Sequence, residues 1–401
     1  MGKKVLYFVA VLLPFSFNSL CEVKAGNKPE MHYSVFWDFY STNDMGARVW
    51  AMGGAGVANV NDVTAMVINP AAFDFDDRFQ IYFEVLNKSK NRWMKVIPRS
   101  GYYLESRSVS PTFVGFGYNI AERVTTGLGY ASPEYYKMDL GEMPLPPPIM
   151  EPPLDQTMHP YDKFELRQLV WPIKFEASRC VSLGVNLNYS FLSLDQWGYY
   201  TNDPQDWRTK IPITKVSDVH FLSFKLGALV GISQLLNLQA GNVSLGMTYT
   251  PQESFRPKVE WRSSMYYWEE SFGETILPRR LELGMRISDL SFPLNFAGDV
   301  KFHDNSEIED LVDRWDIHLG CEWESTDNLA FQFGYFARLD YRDPDVGWLD
   351  EVGEYDQHFL TAGVRISLYD YLLQFSIRDS HLLSSGLIET TQMSVGGGVG
   401  F

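Results

Sequence analysis

Nowhere does this chain hold the roughly 20 consecutive apolar residues that a membrane-spanning helix needs. A helical membrane protein is therefore excluded. Cysteine is scarce, with 3 in 401 residues, so a disulfide framework cannot hold the fold. Positive charge is in short supply as well. Lys and Arg number 34 against 50 Asp and Glu, a net charge of −16. That balance argues against nucleic acid and against an anionic lipid surface as partners. Hydrophobic residues make up 45% of the chain and aromatics 15%. A membrane β-barrel accommodates such a composition, because its strands alternate apolar and polar residues and average out.

The first residues read as an export signal. Lys3 and Lys4 precede an apolar run, Val5 to Leu13, which Pro14 interrupts. Val23-Lys24-Ala25 resembles a small-residue cleavage site, so the mature chain is expected to start near Gly26. Asn18-Ser19-Leu20 before Cys21 does not suit lipid attachment. Cys180 and Cys321 then remain.

From residue 78 onward the dominant signal is period-two alternation. Trp315, Ile317, Leu319, Cys321 and Trp323 point one way; Asp316, His318, Gly320, Glu322 and Glu324 point the other. Fourteen segments share this character: 78–86, 111–120, 123–132, 163–176, 180–193, 218–233, 242–250, 279–288, 293–303, 314–324, 328–339, 357–367, 370–379 and 390–401. Many have the nine to eleven residues, roughly, that a tilted strand needs to cross a bilayer. Short links alternate with long ones, the asymmetry of outer-membrane barrels. A closed barrel also leaves no unpaired edge in lipid. The last strand alternates Met393, Val395, Gly397, Val399 and Phe401. A terminal aromatic resembles the signal read by the outer-membrane assembly machinery. Tyr and Trp near strand ends fit interfacial girdles. The expected architecture is all-β: a 14-stranded antiparallel transmembrane β-barrel over 78–401, preceded by a signal peptide (1–25) and a plug segment (26–77).

Met45 to Phe73 is rich in Gly and Ala and nearly free of charge, and reads as a compact element tucked inside something larger. Asn69-Pro70 suits a turn in which the Asn side chain satisfies nearby backbone and Pro fixes φ. Arg48 and Asp62 are its main charges; inside a barrel each needs a partner, either the other or a lumen residue. Gly46-Ala47-Arg48, Met52-Gly53-Gly54-Ala55, Val57-Ala58, Asp62, Ala65 and Asn69-Pro70-Ala71 together resemble the N-terminal signature of FadL-type outer-membrane transport proteins and their PorV-like relatives. The resemblance departs at Val67-Ile68, where an aromatic is frequent, and at Trp50. It implies a hatch inside the lumen, with Arg48, Met52, Gly53, Gly54, Asp62, Asn69 and Pro70 as hatch residues. It also implies a strand kink that opens the wall sideways; Gly127, Gly129 and Pro133 on the third strand are the candidates, since Pro removes a ladder donor and Gly weakens packing.

Other features are read beside these. Met143 to Leu154 is a stiff proline-rich stretch, and Leu145, Ile149, Met150 and Leu154 are its candidate ligand contacts. Acidic runs at 307–316 and 343–356 are candidates for solvated loop tips or for cation bridges to surface glycolipid. The inward set Glu282, Arg286, Asn295, Asp299, Lys301, His303, Asp316, His318, Glu322, Glu324, Gln332 and Arg338 mixes both signs, as a self-neutralising lumen would. No Ser nucleophile motif accompanies His318, so no enzyme, cofactor or metal is expected. The function implied by the resemblance is passage of hydrophobic small molecules, such as long-chain fatty acids, across the outer membrane. The alternative is a PorV-like barrel that binds or shuttles secreted proteins in a type IX-like secretion system. Expected partners are the bilayer and its glycolipid, an apolar ligand, the assembly machinery and, under the alternative, secreted proteins.

Overall fold

A computed structural model describes residues 45–60, 62–75, 77–97, 100–139, 143–144, 157–201, 211–236, 241–255, 258–262, 267–271, 275–308, 311–341, 343, 356–383 and 388–401. The proposed signal peptide, Leu145, Ile149, Met150 and Leu154 lie outside the described residues, as does most of the 343–356 acidic run.

Fourteen antiparallel strands form one ring. They are β1 (Phe79–Ile97), β2 (Ser100–Ala121), β3 (Val124–Asp139), β4 (Thr157–Ser178), β5 (Val181–Thr201), β6 (Ile211–Gly231), β7 (Asn242–Thr250), β8 (Arg279–Ser288), β9 (Leu294–Asp304), β10 (Arg314–Thr326), β11 (Leu329–Arg338), β12 (Gln357–Leu368), β13 (Tyr371–Asp379) and β14 (Ile388–Gly400). Each pairs with its neighbours in sequence, and β1 closes the ring against β14. Closure satisfies every strand edge, which lipid demands. The outward positions are apolar and the inward ones polar. On β10, Trp315, Ile317, Leu319 and Trp323 are exposed, whereas Arg314, Asp316, His318 and Glu322 are buried. A transmembrane barrel has this inside-out alternation.

Wall height is uneven. Strands β1 to β6 run for 16 to 22 residues. Strands β7 to β14 run for 9 to 13. At about 3.3 Å per residue, a 22-residue strand reaches roughly 70 Å, far more than a hydrocarbon core of about 30 Å requires. The extra length lies on the side of the long connections. Much of 87–110, 133–162 and 194–217, which the alternation pattern left as links, is therefore laddered strand. Alternation marks only the stretch that faces lipid; past it, segments such as Lys88-Ser89-Lys90-Asn91-Arg92 pair without an apolar face.

Between Met45 and Phe73 the chain folds into two short helices, α1 (Ala47–Ala51) and α2 (Ala65–Ile68), and a 3-10 turn at Pro70–Ala72. This segment sits inside the barrel. Trp50, Met52, Val63, Met66 and Phe73 are almost fully buried, and a core cluster joins Met66 and Phe73 to Tyr82 and Phe113 of the wall.

Candidate functional site

The hatch is seated on bare backbone. Glycines face each other across adjacent strands: Gly184 and Gly227, Gly246 and Gly284, Gly320 and Gly334. Asn69-Pro70-Ala71 rests on the first pair, Val57-Ala58 on the second and Met52-Gly53 on the third. A Cβ at any of these positions would overlap the hatch. Gly53 itself has φ of 66° and lies against the Leu319 and Tyr335 backbones, so two constraints require glycine there. Mid-strand glycines at inward positions were a sequence signal for this seat, one that the alternation reading passed over.

Hydrogen bonds tie the same segments down. Arg48 donates to both Glu322 oxygens, at 3.0 and 2.8 Å, and to the Asn59 carbonyl at 2.6 Å. Gln332 adds a bond of 2.6 Å to Glu322. Arg48 is thus paired with a lumen residue. Asp62 instead accepts from the Thr64 amide at 2.8 Å and from the Thr64 hydroxyl, ordering the turn into α2. Asp299 accepts from the Gly56 and Val57 amides at 2.7 and 2.9 Å. Glu84 accepts from the Gly46 amide at 2.7 Å. Thr361 donates to the Ala51 carbonyl at 2.7 Å and accepts from the Gly53 amide at 3.0 Å. His318 Nδ1 lies 2.6 Å from the Gly53 carbonyl, which can only accept, so that nitrogen carries the proton. Asn69 behaves as its turn chemistry requires: its oxygen accepts from the Ala71 amide at 3.0 Å and its nitrogen donates to the Val57 carbonyl at 2.7 Å.

Around the hatch, the two sides of the lumen differ. Toward β10–β14 it is filled. The Arg378 guanidinium stacks 3.6 Å from the Trp50 ring centroid, and Phe336 stacks on Phe359 at 4.5 Å. Arg314 pairs with Asp316 at 3.0 Å, with His303 alongside. Toward β3–β9 there is a cavity of about 140 Å³. Met45, Val49, Val67 and Ile68 of the hatch form its apolar floor, and Pro133 and Leu166 extend that surface up the wall. Asn186 and Asn188 on β5, and Lys225, Arg280, Glu282 and Lys301 on β6–β9, form its polar side. Lys225 donates to the Val67 and Ile68 carbonyls at 2.9 and 3.3 Å, capping the end of α2. None of Leu166, Asn186, Asn188 and Lys225 stood out in the sequence as a site residue; their inward position on alternating strands was the available signal.

Of the kink candidates, Pro133 lines this cavity, while Gly127 and Gly129 lie against the hatch. The β3–β4 ladder skips from Thr126–Ile173 to Gly129–Val170, and it shifts register between Ala131 and Glu134. Pro172 cannot donate in the first gap, and Pro133 sits in the second. Outside, Trp171 Nε1 donates to Thr126 Oγ1 at 3.1 Å, which donates to the Pro172 carbonyl at 2.8 Å. Inside, Phe73 and Met66 of the hatch press on Gly127 and Gly129. Among the described residues, no group of three His, Cys, Asp or Glu side chains is placed to hold a metal ion.

The closed barrel has counterparts of solved structure. The toluene transporter TbuX of Ralstonia pickettii superposes with a TM-score of 0.61 at 13% identity, over 89% of this chain and 98% of TbuX. A FadL homologue of Pseudomonas aeruginosa gives 0.65 at 13% identity, over 90% and 98%. The toluene transporter TodX of Pseudomonas putida gives 0.61 at 12% identity, over 90% and 98%. The fold is that of the FadL-type barrels. No protein-family model matches the sequence, and no curated protein matches it either. Within the FadL-type fold, the cavity of this chain lies against the hatch, along β3–β9.

Proposed function

We propose that this barrel passes hydrophobic small molecules across the outer membrane, without chemistry, and that the cavity against the hatch is where they are held. The observation that carries this reading is the cavity itself. Its volume is close to the roughly 150 Å³ of an engineered apolar cavity that admits benzene, so one aromatic ring or a short stretch of acyl chain fills it. The apolar floor supplies the driving force. The hatch serves as a fixed floor, held by Arg48, Gly53, Asp62, Asn69 and Pro70 and by the glycine seats for Met52 and Val57. Exit runs sideways through the β3–β4 seam at Pro133, where the ladder shifts register, and extends to Gly127 and Gly129 when the Phe73 and Met66 side chains of the hatch draw back from them. The similarity to the toluene transporters TbuX and TodX favours a small aromatic cargo over a long-chain fatty acid. The proline-rich contacts at Leu145, Ile149, Met150 and Leu154 would serve as a first capture surface, and the leader at 1–25 would direct export.

Filling the cavity tests this. Leu166→Trp should lower uptake of radiolabelled toluene by cells at least tenfold while barrel assembly, read as heat-modifiable gel mobility, persists. Unchanged uptake in an assembled barrel would sink the proposal. The PorV-like alternative has one observation in its favour, the paired wall of β1–β6 that rises past the lipid-facing belt and offers a surface for a protein partner.

A further inference from the structure

Passage of a bare hydrocarbon leaves part of the cavity wall unused. Asn186 and Asn188 stand two residues apart on β5, hence on the same inward face. They are 1% and 7% exposed. Asn186 Nδ2 donates to the Met66 carbonyl of the hatch. A carbonyl only accepts, so this bond fixes the amide: nitrogen toward the hatch, oxygen away from it. Among the described residues, neither Asn186 Oδ1 nor Asn188 Oδ1 has a hydrogen-bond donor. Both oxygens are closed to solvent, so a donor reaches them once the side chain turns at the cavity wall; a buried amide oxygen without a donor costs free energy that such a donor recovers. Nearby donors are committed elsewhere. Gln168 Nε2 donates to Ser190 Oγ at 3.1 Å, and Lys225 holds the end of α2.

We propose that the cavity selects aromatic molecules carrying a hydroxyl, the phenol class, over plain hydrocarbons and over carboxylates. The ring lies against Val49, Val67, Ile68 and Leu166, and the hydroxyl donates to Asn188 or Asn186. A hydrocarbon would leave both oxygens bare. A carboxylate carries acceptors only and would meet two more. The inference rests on the reading of the barrel as a passage for hydrophobic small molecules and adds the hydrogen-bond donor to it.

Binding by the purified full chain in detergent, followed calorimetrically, separates these cases with four probes: phenol, anisole, toluene and benzoate. Anisole keeps the oxygen of phenol but has no donor. Wild type should bind phenol at least threefold tighter than anisole, although anisole is the more apolar. Asn188→Leu, close in shape but without the oxygen, should raise the Kd of phenol relative to that of toluene about tenfold. Anisole or toluene binding wild type as tightly as phenol would overturn the inference and leave the apolar passage standing. Benzoate binding most tightly would also overturn it, and would move recognition to Lys225, Arg280 and Lys301. Binding of none of the four would remove the underlying reading together with the inference. Should Asn188→Leu fail to assemble, the comparison of phenol with anisole on wild type still decides.

Discussion

The two halves of the lumen are made from the same alternating strands and do opposite things. Toward β10–β14, large side chains from hatch and wall interlock: Trp50 under Arg378, Phe336 on Phe359, Arg48 on Glu322. Toward β3–β9, the hatch presents Val49, Val67 and Ile68, and the wall answers with Pro133, Leu166 and two asparagines, leaving space. In the filled half, Arg48 pairs with Glu322 and Arg314 with Asp316, as burial requires. In the open half, Asn186 Oδ1 and Asn188 Oδ1 have no hydrogen-bond donor among the described residues; in the filled half the same holds for Gln332 Oε1, but Gln332 does not line the cavity. A barrel can thus seal one side of its lumen and keep a site on the other without changing its strand plan. What differs is the size and pairing of the inward residues.

Breaking the filled half should have the largest effect. Arg48→Ala leaves Glu322, which is fully buried, without its bidentate partner, and should destabilise the barrel by about 3–5 kcal/mol. Urea unfolding should show the loss, and Arg48→Met with Glu322→Leu should recover much of it. Equal destabilisation in single and double variants would mean the pair does not hold the hatch. A smaller effect distinguishes the inner face from the outer. A Cβ at Gly334 would overlap the Gly53 amide, whereas one at outward Gly298 has 3.5 Å to its nearest neighbour. Gly334→Ala should cost about 1–3 kcal/mol and Gly298→Ala less than about 0.5 kcal/mol. Similar costs at both sites would contradict the backbone seat. The smallest effect belongs to the open side. Trp171→Phe removes the indole bond that bridges the β3–β4 seam, worth about 1 kcal/mol or less. Amides at 127–133 should then exchange a few fold faster, with global stability nearly unchanged.

How much of this was legible in the sequence follows from what enforces each feature. All fourteen strands were readable because lipid imposes a period of two on every segment it touches. Their tops on β1–β6 were not, since beyond the lipid nothing imposes it. The hatch was legible through the resemblance that Gly53-Gly54 and Asn69-Pro70 help to carry. Its partners were not: Arg48 and Glu322 lie 274 positions apart, and no local pattern joins them. Likewise, Asn186 and Asn188 read as ordinary inward polar residues. Only the fold sets them beside Val67 and Ile68.

The central claim is that ligand occupies the space between the hatch and β3–β9. Anomalous diffraction from crystals soaked in 4-bromophenol tests it directly. The account predicts one bromine peak within the cavity bounded by Val67, Leu166 and Asn188. A peak on the β10–β14 side, near Trp50 and Arg378, or none inside the barrel, would contradict it.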